Sequence, residues 1–137
     1  MRLDPVLVSD TRLWLLKAAN DLRAAEVDLG AEPPLIEDAL FHSQQAAEKA
    51  LKAFLTFHNV PFRKTHNLEE IGEVCLSIGQ SLKNGIDEAV PLTEYAWAFR
   101  YPGIIISVDS TEVQTALKIS RKLFRVILDR LPSETHP

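Results

Sequence analysis

Apolar residues recur along this chain at intervals of three and four, the spacing that lines one face of an α-helix. The first run predicts a helix from about Asp10 to Leu29, with Asp10 as its cap and Gly30 just past its end. Leu15, Ala18, Leu22, Ala25 and Leu29 form its inner face. Pro33-Pro34 forces a break, and a second helix follows from about Ile36 to Phe57. Ala39, Ala46, Ala47, Ala50, Leu51, Ala53 and Phe54 make its apolar side, and so many alanines predict close approach of neighbouring helices. Its other side carries Asp38, Gln44, Gln45, Glu48, Lys49 and Lys52, with Phe41 among them and His42 at the seam.

After the loop Asn59 to His66, Asn67 opens a third helix, with Glu70 placed as its capping-box partner. Leu68, Ile71, Val74, Cys75 and Ile78 supply the apolar face, and Gly79 and Gly85 bracket a looser stretch. A fourth helix is expected over roughly Ile86 to Arg100, with Leu92, Tyr95, Ala96 and Phe99 inward. Pro91 either kinks it or begins it, and the pattern leaves both open. Ile104-Ile105-Ile106 has no partner strand and reads as an apolar connection lying on the bundle. The last helix starts near Asp109 or Ser110, with Asp109 and Glu112 as a capping box. Val113, Ala116, Leu117, Ser120, Phe124, Ile127, Leu128 and Leu131 share one face. Ile119, Leu123 and Val126 widen its apolar arc to about 200°, against about 100° for one core face. That excess makes it either the central helix or a contact with a second copy, and a homodimer is the expectation. The whole is an all-α, up-and-down bundle of four long helices plus short helical pieces, a single domain over residues 1–137. Its core runs from about 10 to 131, and residues 132–137 form a tail expected to fray.

Composition changes little in this picture. The 137 residues carry 46% hydrophobic and 25% charged positions, which fits an ordered globular chain. A net charge of −4 argues against a general nucleic-acid coat protein. Cys75, the one cysteine, lies among apolar residues and reads as an inert buried thiol rather than a nucleophile. With no signal peptide and no apolar run of about 20 residues, the expected compartment is the cytoplasm, with no membrane partner. No Gly-rich phosphate loop, metal-ligand cluster or Ser/His/Asp set is present, which sets aside conventional kinases and metallohydrolases.

Three stretches together resemble the HEPN family (higher eukaryotes and prokaryotes nucleotide-binding). They are Phe41-His42-Ser43-Gln44-Gln45-Ala46-Ala47-Glu48-Lys49-Ala50-Leu51-Lys52-Ala53, Lys64-Thr65-His66-Asn67-Leu68 and Arg100-Tyr101-Pro102. The resemblance covers about Trp14 to Leu131 and is to the small stand-alone prokaryotic members of the family. It implies a helical bundle, commonly dimeric, often paired with a minimal nucleotidyltransferase encoded next door, many such pairs being toxin–antitoxin modules. Other relatives are metal-independent ribonucleases with an arginine followed four to six residues later by a histidine.

That catalytic pattern can be sought here. A histidine would move the 2′-hydroxyl proton while an arginine stabilises charge on the phosphate. Arg63 and His66 stand too close in sequence. Arg130 and His136 have the spacing, but Pro132 breaks the helix between them and His136 is penultimate, so an accidental match is the expectation. A polar constellation remains. His42, Gln45 and Lys49 lie along one edge of the second helix with Lys52 beside them, and Arg63, Lys64 and His66 occupy the loop beyond. With Arg100 they would make a cationic cleft for a phosphate or an acidic surface, and Tyr101 or Trp97 would stack a base. The bland alternative has equal weight: Glu48 with Lys52 as a surface i,i+4 pair, Gln45 with Lys49 as a solvated edge, and Arg100 capping its own helix. Lys118, Arg121, Lys122 and Arg125 read as the solvated face of the last helix.

Three functions compete. One is a binding subunit for a minimal nucleotidyltransferase, with a nucleotide as its one candidate cofactor and a nucleotide or RNA as ligand. The others are a ribonuclease toxin and a ligand-free helical adaptor.

Overall fold

Pro5 sets the start of the first helix. Its ring fixes φ at a helical value and its missing N–H would be unsatisfied there in any case. The helix α1 therefore spans Pro5–Gly30, capped by Asp4, whose carboxylate accepts from the Val6 amide at 2.9 Å. Asp10, expected as the cap, sits exposed within the helix instead. A computed structural model describes residues 2–99, 102 and 108–137 of the chain. Arg100, Tyr101 and Ile104-Ile105-Ile106 lie outside the described residues.

The second helix, α2 (Ile36–Phe57), has the expected bounds. It ends where Asn59 takes the left-handed backbone (φ 55°), which lets the Val60 amide bond back to the Leu55 carbonyl at 2.9 Å. The third, α3 (Leu68–Leu76), is capped by the Asn67 side chain, which accepts from the amides of Glu69 and Glu70. The reciprocal half of the box is not made: the Glu70 carboxylate goes to Arg63, and the Asn67 amide donates to Thr65 Oγ1 at 3.1 Å. The fourth arm is helical in three pieces: a 3-10 turn at Gln80–Leu82, the α-helix α4 (Lys83–Ala89) and a 3-10 segment at Val90–Ala96. Pro91 thus neither kinks nor starts an α-helix. It sits at the handover to the tighter spiral, where its lost N–H costs no bond of the preceding helix. The last helix, α5 (Ser110–Asp129), begins at the Asp109 cap, which accepts from the Glu112 amide at 2.9 Å.

The result is an all-α bundle, with no strand among the described residues. Its centre is α2, which packs against α1, α3, α5 and the 3-10 segment Val90–Ala96. Ala39, Ala46, Ala47, Ala50 and Ala53 are fully buried there, the small side chains that let several helices close on one. The wide apolar arc of α5 belongs to the same core. Leu123, which the sequence offered either to the core or to a second copy, is 0% exposed, and Ile119 and Val126 pack against the core. Ser120 fastens α5 to α2 by donating to the Ser43 carbonyl at 2.6 Å. The C-terminal residues do not fray. A 3-10 turn at Ser133–Thr135 packs on α1, Thr135 is buried, and Arg12 donates to the Glu134 carbonyl. Among the described residues no helix is long and apolar enough to cross a membrane.

Candidate functional site

The polar side of α2 is not a solvated edge. Gln44, Gln45, Glu48 and Lys52 are all buried, so each needs a partner in the protein. Two acidic residues organise the polar side of α2.

The first is Asp21, on α1, 8% exposed. Its carboxylate accepts from His42 Nδ1 at 2.8 Å through one oxygen and from Lys49 Nζ at 2.6 Å through the other. An ionised carboxylate can only accept, so the proton on His42 is fixed at Nδ1 and Nε2 carries a lone pair in the neutral ring. Nearby Asp28 has one carboxylate oxygen buried without a hydrogen-bond partner among the described residues. Burial pushes its pKa up, the charge of His42 opposes that, and Asp38 adds to it.

The second is Glu48, 2% exposed, on α2 itself. It accepts from Lys52 Nζ at 3.0 Å, His66 Nδ1 at 2.7 Å and Gln44 Nε2 at 3.3 Å. Gln44 also donates to the His66 carbonyl at 3.2 Å, tying the loop to the helix, and Gln45 donates to Gln44 Oε1 at 2.7 Å. The Lys52 ammonium lies beside a pair of edge-packed aromatic rings, 5.6 Å from the Trp14 centroid and 5.7 Å from that of Phe62. The Glu48 and Lys52 pair is therefore a desolvated, aromatic-flanked ion pair rather than the expected surface one.

The two clusters share one design: a nearly buried carboxylate holds one histidine by Nδ1 and one lysine. The His42 side chain remains 31% exposed and that of His66 57%. Neither Nε2 has a hydrogen-bond partner among the described residues. Arg63 stands apart, in an exposed two-bond pair with Glu70 at 2.6 and 3.2 Å that raises the pKa of the guanidinium and lowers that of the carboxylate. Lys64 has no ion pair among the described residues. Sequence reasoning did not single out Asp21, although a signal was present. It falls on the inner stripe of α1, three residues after Ala18 and four before Ala25, and a carboxylate on an apolar stripe requires a buried cation.

The spaced pair Arg130 and His136 is engaged elsewhere. His136 Nε2 donates to the carbonyls of Leu128 and Leu131 at 2.9 and 3.2 Å, capping the end of α5. Arg130 donates to Ser81 Oγ at 2.7 Å and to the Val126 carbonyl at 3.4 Å. Cys75 is buried, its Sγ lies 3.7 Å from the Leu51 carbonyl, and burial pushes the thiol up to about 12, which suits an inert side chain. On α5, Arg121 pairs with Glu26 and Lys122 with Glu88, which leaves Lys118 and Arg125 as the unpaired members of that basic strip among the described residues. Among those residues no group of three or more potential ligands is placed to hold a metal ion.

No curated protein sequence and no solved structure gives a significant match to the chain. A family model described as HEPN domain matches residues 11–131, a span that contains every residue of both histidine–carboxylate clusters. The chain belongs to the HEPN family.

Proposed function

We propose that this protein is a HEPN-type binding subunit, a partner of a minimal nucleotidyltransferase within a toxin–antitoxin module, and that it works as a homodimer. The observation that carries the reading is the matched pair of oriented imidazoles. His42 and His66 each have Nδ1 committed to a nearly buried carboxylate and a part-exposed ring whose Nε2 is available to a ligand. A protonated imidazole would offer its Nε2–H, and Lys49 of the first cluster and Lys64, two residues before His66, add ammonium donors, so a phosphate or an acidic partner surface would meet cations together. The spaced Arg130 and His136 spend their side chains on Ser81 and on the end of α5, which favours binding over catalysis at that pair.

The dimer contact we assign to α1. Val6, Leu13, Leu16 and Val27 are its exposed large apolar residues, and at 100° per residue they fall within about 80° of one another.

A ribonuclease reading retains one observation in its favour. A histidine oriented by a carboxylate is the arrangement that general acid–base chemistry uses, and there are two here.

The test is co-purification of this chain with the minimal nucleotidyltransferase encoded beside its gene. Titration calorimetry then compares wild type with the exposed double variant Lys64→Ala/His66→Ala. The expected outcome is a stable complex weakened about tenfold or more by the variant, the scale of a lost charge-assisted bond. No complex, combined with growth arrest and cleaved RNA when this chain is expressed alone, would replace this reading with the ribonuclease.

A further inference from the structure

On the other end of α2 the chemistry is reversed in sign. A cavity of 240 Å³ is lined by Glu37, Asp38, Phe41, Tyr95 and Phe99. The Tyr95 and Phe99 rings are nearly parallel, 8° apart in plane with centroids 5.9 Å apart, and Phe41 contributes a third aromatic wall. Glu37 and Asp38 occupy the first turn of α2, where the helix dipole tolerates negative charge without neutralising it. Neither forms an ion pair among the described residues, and the same holds for Glu94 and Glu112 near Tyr95. The tyrosine hydroxyl reports that surrounding charge: burial first, then Glu94 and Glu112, push its pKa up.

Tyr95 is also a wall of a second cavity, 290 Å³, with Leu92, Ala116 and Ile119 as its apolar surface and Glu88 and Glu112 at its rim. One aromatic side chain thus separates an aromatic–acidic cavity from an aliphatic one. Aromatic faces beside carboxylates that have no ion pair among the described residues are the surroundings that attract a guanidinium or ammonium group, and they repel phosphate. A free organic cation would make use of the first cavity alone, whereas a polypeptide can fill both.

We propose that the two cavities flanking Tyr95 form one docking groove for a partner polypeptide that places an arginine or lysine in the first and an aliphatic side chain in the second. The cavities share Tyr95 as a wall, so the two anchors are close neighbours on the partner, as side chains one helical turn apart on one face are. The groove uses none of the residues of the His42 and His66 clusters, so it stands or falls separately from the reading above.

The experiment is a titration of the ¹⁵N-labelled full chain, followed by NMR, with an acetylated and amidated peptide carrying leucine and arginine four residues apart. A second peptide has glutamate in place of the arginine, and spermidine serves as the free cation. The arginine peptide is expected to move the amides of residues 37–41 and 92–99 saturably, and the glutamate peptide to leave them in place. Asp38→Asn and Phe99→Leu, each checked for wild-type circular dichroism, should each weaken binding about fivefold, the scale of one cation–π or surface charge contact. No saturable shift at these amides, or equal shifts from both peptides, overturns the proposal. Spermidine binding as tightly as the arginine peptide also overturns it, by assigning the site to free organic cations.

Discussion

Glu48 is the residue on which the most polar contacts of α2 converge, and its neighbours show what it prevents. Lys52 is buried, with Glu48 as its one anionic partner among the described residues and the rings of Trp14 and Phe62 beside it. Removing one member of a buried pair leaves the other charge desolvated and unpaired, which costs far more than the pair itself contributes. Glu48→Ala is therefore expected to destabilise the fold by about 3 kcal/mol or more, measured by urea denaturation. Arg63→Ala, which breaks an exposed pair with similar bond lengths, should leave the denaturation midpoint unchanged within error. Equal losses for the two variants would mean that burial is not what gives Glu48 its weight. At this scale the sequence was half legible. The residues His42, Gln45, Lys49 and His66 stood out by type and spacing, but the carboxylate 28 positions from Lys49 that neutralises it did not.

Among elements, the contact between α3 and α4 is set by an absent side chain. Gly72 lies on the buried face of α3, and a Cβ there would stand 2.4 Å from Ile86 Cγ2 and 3.7 Å from Ile86 Cβ. The nearest clash is with a β-branched side chain, whose χ1 is stiff, so α4 must move rather than the methyl alone. Gly72→Ala is expected to cost about 1–3 kcal/mol, as overpacked cores do, even though alanine is the better helix former. A thermal melt decides it, and a variant as stable as wild type would show that α4 shifts freely. The sequence could not reveal this requirement, because a mid-helix glycine reads simply as a weak helix position. The same holds for the segment after Pro91, where propensity suggested one long helix and packing selected a short α-helix running into a 3-10 spiral.

For the molecule as a whole, the question is which apolar surface is core and which is contact. Leu123 is enclosed, and its Cδ1 lies 3.1 Å from where a Cβ on Gly85 would stand. Leu123→Glu should abolish cooperative unfolding, since it buries an unpaired charge in the middle of the bundle. Leu13→Glu combined with Leu16→Glu, on the exposed stripe of α1, should preserve helicity and melting while converting a dimer to a monomer in sedimentation. A folded, monomeric Leu123→Glu variant would return the interface to α5. The C-terminal turn belongs to this scale as well: Leu131 and Thr135 are buried and His136 caps α5, so the last residues close the bundle.

By itself the sequence determined the helical class, the bounds of α2, the Asn67 and Asp109 caps and the apolar faces. All of these rest on interactions three or four residues apart, which spacing records directly. Only the tertiary structure decided that α2 rather than α5 is central, that the polar strip of α2 is buried and neutralised, and that Arg130 and His136 serve the end of a helix. The first two depend on partners brought together from distant parts of the chain, as does the bond from Arg130 to Ser81, and nothing in local periodicity encodes which distant carboxylate will meet which cation.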